Sequence, residues 1–147
     1  MKNPSKGIST ALVFMVVLVA AGVATRAYLL KQRDKELLES IESEVGVKLP
    51  GHYSIRAKYP FMEFPTSGIV KLHARPDTLL ARLKFLRLEG HESEIHWLRT
   101  YHFDKDRFAM KEDLKGFVFA RFAGSKSSYE FAYEERTNTL WFVVFSL

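Results

Sequence analysis

The chain of 147 residues contains no cysteine. Disulfides, cysteine-ligated metals, a thiol nucleophile and lipoprotein acylation are therefore excluded. The absence suits a bacterial periplasm and a cytoplasm equally. Proline and glycine are scarce, at five and eight, and they are dispersed. No low-complexity tract and no internal repeat is present. The sequence also lacks a G-x-S-x-G elbow and a phosphate-binding P-loop. What it has in quantity is apolar surface. Hydrophobic residues make up 47% of the chain and aromatics 14%, a composition that excludes disorder.

Acidic residues are nearly missing from the first 35 residues. Lys2, Lys6, Arg26, Lys31, Arg33 and Lys35 stand there against Asp34 alone. The rest of the chain is charge-balanced as a whole, and the stretch from Val45 onward is mildly basic once Glu36, Glu39, Glu42 and Glu44 are set aside. The net charge of +5 therefore belongs to the N-terminal region. It is not the footprint of a nucleic-acid-binding domain. Arg82, Lys84, Arg87, Arg99, Lys105 and Arg107 have aromatic neighbours, but acids alternate with them and no RNA- or DNA-binding signature is formed.

Residues 8–25 carry no charge and are mostly apolar. As a helix they would span roughly 27 Å, close to a bilayer core of about 30 Å. Arg26 can snorkel and Tyr28 suits the interface, which extends the span to Leu30. A cleaved signal has a shorter apolar region and a small-x-small site. Val19-Ala20-Ala21 and Gly22-Val23-Ala24 are passable sites. The apolar run nevertheless continues straight into a charged helical stretch, which favours a retained anchor. The domain plan expected is a basic tail over 1–7, a single-pass anchor over 8–30, an amphipathic stalk over 31–46 and a globular domain over 47–147.

Orientation is nearly balanced by charge count. The short basic tail before a signal-like run is the usual form of an N-in anchor. The expectation is a bacterial inner-membrane protein with its domain on the periplasmic side.

In the stalk, Leu30, Leu37, Leu38, Ile41 and Val45 recur at helical spacing. They can rest on the domain or meet a second copy, although the stripe is under three heptads. Gly46 and Pro50-Gly51 end the helix. Tyr53, Ile55, Ala57 and Tyr59 then alternate with polar residues, as in a half-buried strand. A loop over 60–67 and a strand over 68–74 follow. The spacing next predicts a helix over 76–88, with Leu79, Leu80, Leu83 and Leu86 on one stripe and Phe85 and Leu88 off it. A strand over 94–103 and three C-terminal strands over 116–123, 128–135 and 139–147 complete the reading. The last strand is apolar on both faces, which is the pattern of a central strand. The fold class expected is α+β, with about six mostly antiparallel strands and one packed helix.

The search for chemistry is largely negative. In His91–His96, "HESEIH", the position four after the first histidine is Ile95, so a zincin motif is not formed. His96, His102 and Glu94 could share a strand face and are weak metal candidates. Lys126 sits among serines in a turn, where Gly and Ser are expected anyway. Glu134-Glu135 reads as a solvated turn. Phe61, Met62 and Phe64 are apolar residues in a Pro-bounded loop, and such side chains need a cover. With Phe85 and Leu88 they are the candidates for partner contact. No enzyme and no cofactor is expected. The functional expectation is a membrane-anchored domain that binds another membrane or envelope protein, as an accessory or assembly subunit. Two alternatives stand beside it: a small-ligand sensor and a membrane-tethered immunity or inhibitor protein.

Overall fold

A computed structural model describes residues 5–59, 65–87 and 116–146. Helix α1 covers Ser5–Val45 as one unbroken element of 41 residues. It is followed by strands β1 (His52–Lys58) and β2 (Thr66–Leu72), the short helix α2 (Asp77–Arg82), and strands β3 (Leu86–Arg87), β4 (Phe117–Ala123), β5 (Ser127–Glu134) and β6 (Thr139–Ser146). The six strands form one open sheet in the order β1-β2-β6-β5-β4-β3. Every pairing is antiparallel. The α+β class and the single apolar N-terminal helix expected from the sequence are both present.

The chain divides into two units, Met1–Leu38 and Glu39–Leu147. The described residues of the first are helix alone. Its apolar residues are exposed from Leu12 to Leu30. No Asp, Glu, Lys or Arg interrupts residues 10–25, and the helix is long and apolar enough to cross a membrane. Thr25 donates its hydroxyl to the Ala21 carbonyl at 2.9 Å, so even this polar side chain is satisfied within the helix.

The second unit owns the sheet. Cross-strand partners share a face. Ile69, Trp141, Ala132 and Phe119 stand in register across β2, β6, β5 and β4. With Phe117 and Val143 they build an apolar cluster, and Phe145 packs against it. The opposite face carries Val70, Leu140, Tyr133 and, one step along, Phe142 and Phe131, all buried. Gly68 is required here. It faces Phe142 across the β2–β6 pair, and a Cβ at Gly68 would run into the Phe142 ring. β6 lies between β2 and β5, the central place expected of a strand apolar on both sides.

Three expectations need correction. The helix predicted over 76–88 stops at Arg82. Lys84 adopts φ 46°, a left-handed conformation that breaks the helical path. Leu86 then pairs with Phe119 as a strand residue. Strand β2 begins at Thr66, inside the stretch expected to be loop, because Thr66 and Ser67 pair with Val144 and Val143. Glu134 is buried, not solvated. It sits inside the sheet opposite Thr139 and accepts the Thr137 hydroxyl at 2.6 Å.

Candidate functional site

Glu44, in the last turn of the membrane-length helix, has the most elaborate polar surroundings among the described residues. That turn belongs to the sheet-bearing unit. Ile41 and Val45, four apart on one face, are buried there. Gly46 at φ 74° closes the helix, and the Val47 amide reaches back to the Glu42 carbonyl at 3.1 Å, a Schellman-type bond. The Glu42 carboxylate then accepts the Leu49 amide at 2.8 Å and meets Lys48 at 3.2 Å. It thereby fixes the chain as it leaves the helix.

Glu44 reaches the turn between β4 and β5. One carboxylate oxygen accepts the Lys126 amide at 3.0 Å and the Ser125 hydroxyl at 3.4 Å. The other accepts the Tyr129 hydroxyl at 2.6 Å. Burial, reinforced by this bond to Glu44, pushes the Tyr129 phenol up to about 12. Gly124 makes room for the arrangement, because a Cβ there would collide with the Glu44 carboxylate. A charged acceptor holding three donors is among the stronger polar contacts available to a protein.

Beyond this turn, Arg121, Phe122, Ser128, Tyr129, Glu130 and Phe145 line an open cleft of about 660 Å³. Arg121 Nε lies 3.1 Å from the buried Glu130 carboxylate. A second groove of about 420 Å³ lies between the end of α2 and β4, lined in part by Arg82, Lys84, Leu86, Arg121 and Phe122. At the far end of β5, Tyr133 donates to Asn138 at 2.6 Å across the β5–β6 turn. Asn138 takes φ 49° there. Burial raises the Tyr133 phenol above its ordinary value.

Of the residues singled out by sequence, Phe85 is half-buried immediately before β3, beside the second groove. Phe61, Met62, Phe64, Leu88, Glu94, His96 and His102, and the strand expected over 94–103, lie outside the described residues. Among the described residues no group of His, Asp and Glu is arranged to hold a metal ion. Sequence reasoning missed Glu44, since its partners lie more than 80 positions away. It also missed the Arg121–Glu130 pair, which depends on strand register.

No protein-family model matches the chain. No curated protein and no solved structure gives a match either.

Proposed function

We propose that this protein is a single-pass membrane protein whose α+β domain binds another membrane or envelope protein, without catalysing a reaction, as an accessory or assembly subunit. The bilayer would hold residues 8–30, and the domain would stand on the periplasmic side of a bacterial inner membrane. One observation carries the reading. The apolar helix has no break or loop before its last turn, and that turn is built into the domain through Ile41, Val45, Glu42 and Glu44. A domain whose chain continues from a helix of membrane length without an intervening loop suits engagement of a neighbour in the same membrane. Self-association through the stalk, residues 31–46, is a further route to such a contact.

The open cleft of about 660 Å³ beside Arg121 and Phe145 favours a second reading, a small-ligand sensor. Native purification separates the two. Full-length chain extracted in mild detergent should elute in a stoichiometric complex larger than its own mass. Elution as the bare chain, together with ligand-dependent thermal stabilisation, would replace the partner reading with the sensor. Orientation is read separately. Lys126 is exposed and contributes only its backbone amide to Glu44, so Lys126→Cys gives a single labelling site. An impermeant maleimide should label it in spheroplasts. Labelling only after lysis would place the domain in the cytoplasm.

A further inference from the structure

The groove between α2 and β4 owes its existence to one backbone feature. β3 pairs with β4 only at Leu86–Phe119 and Arg87–Val118. Continued pairing would set Lys84 opposite Arg121. Instead Lys84 turns into the left-handed region at φ 46°, and the chain bends away from β4 before reaching residues 120–122. The space left has a volume of about 420 Å³.

Its lining is chemically one-sided. Arg82, Lys84 and Arg121 border it, and all three are exposed; Arg121 is held by Glu130 at 3.1 Å, so the charge the groove offers a ligand is that of Arg82 and Lys84. No carboxylate is among the described lining residues. Phe122, half-buried, and Leu86, 52% exposed, also line it. Leu86 is the one large hydrophobic residue outside α1 that is exposed among the described residues. Scattered exposed apolar residues are ordinary. An exposed leucine in a groove flanked by two exposed cations is a recognition pattern, because cations steer an acidic partner and the apolar side chain retains it.

We propose that this groove docks an acidic segment of a protein partner, with one large apolar side chain seated on Leu86 and flanking carboxylates facing Arg82 and Lys84. The proposal rests on the partner-binding reading above and gives it a place. Concavity favours a peptide over an anionic bilayer surface. A groove admits a protruding side chain, whereas a flat headgroup layer is met by convex, protruding basic residues.

The test uses full-length chain in phosphatidylcholine nanodiscs. A displayed random-peptide library is selected on it and counter-selected on the Arg82→Glu/Lys84→Glu variant. Both side chains are exposed, so a matching thermal melt is the control for folding. The expected winners carry Asp or Glu on both sides of a Leu or Phe. Their affinity should fall at least about tenfold in the charge-reversed variant, weaken with salt, and survive the charge-preserving Arg82→Lys/Lys84→Arg exchange. Leu86→Ser should weaken the same peptides while leaving every charge in place. Winners that bind wild type and reversed variant alike would overturn the groove assignment while leaving the partner reading intact. A selection with no acidic class would also overturn it, and the partner reading would still answer to native purification. Protection of the 82–86 amides from exchange on phosphatidylglycerol discs alone would assign the groove to the bilayer and overturn the peptide.

Discussion

Helix α1 presents two kinds of surface. Leu12 and Tyr28 are 64% and 68% exposed, while Ile41 and Val45, on the same unbroken helix, are 2% and 0% exposed. Residue type does not explain the difference, since large apolar side chains stand in both stretches. The surroundings do. The first stretch is apolar all round, as a lipid-facing helix is. The second is apolar on one stripe only, with Glu39, Ser40, Glu42 and Ser43 elsewhere. A helix in lipid satisfies its backbone internally and needs no apolar partner. A helix turn in water needs one, and here finds it in the domain.

The sharpest way to break this contrast is to apply one kind of truncation in both regions. Phe142→Ala removes a ring with no exposure at the centre of the sheet. It should cost about 3–5 kcal/mol of domain stability, read as the shift in chemical denaturation of the full chain in detergent. Leu18→Ala, within the exposed span, should leave that transition within about 0.5 kcal/mol. Equal effects would mean that the span is packed against protein.

The next effect tests the welded turn itself. Glu44→Ala leaves the Tyr129 hydroxyl and the Lys126 amide without their acceptor. The expected loss is about 1–3 kcal/mol, with local amide exchange accelerating at residues 124–127. A silent substitution would show that the last turn is held by Ile41 and Val45 alone.

A pH experiment follows. The Tyr129 phenol stands at about 12 in the folded protein against 10.0 ordinarily. The folded state therefore holds this proton more tightly than the unfolded chain does. Stability from this source is complete below pH 10 and is lost as pH rises through 10 toward 12. Tyr133 adds a slope of the same sign. Tyr129→Phe should flatten the alkaline decline in denaturation midpoint, and an unchanged slope would refute the assignment. Smallest of all is the surface. Arg75 lies 3.1 Å from Asp77 and 3.4 Å from Glu135 with more than half of its side chain exposed. Arg75→Ala should change stability by no more than about 0.5 kcal/mol, and a loss comparable to that of Glu44→Ala would show that these exposed ion pairs hold α2 to the β5–β6 turn.

What could be read in advance followed from local periodicity. The uncharged run to Thr25 announced the apolar helix. The three C-terminal strands were legible over 116–123, 128–135 and 139–147, and the two-sided apolar pattern of β6 placed it centrally. What escaped was non-local or conformational. The Arg121–Glu130 pair exists only through the register that sets the two residues opposite one another across β4 and β5. Lys84 carries no sequence mark of a left-handed turn, so the leucines around it were read as one helix. The Glu44 contacts require the β4–β5 turn to come back to the end of α1, which no window of neighbouring residues can reveal.

The strand order has a kinetic consequence. β6 joins the β1–β2 hairpin to the β3–β4–β5 side of the sheet, yet it follows all of these strands in sequence. During synthesis the apolar helix emerges first, and the two parts of the sheet must then wait, unjoined, for residues 139–146. Their pairing with β2 closes a loop of about 70 residues, a slow step by its contact order. Until it closes, the inner edges of β2 and β5 are open templates for other strands. Tethering to a membrane by then would keep such half-built sheets apart from one another, so the anchor would act as a folding safeguard before the domain has anything to bind.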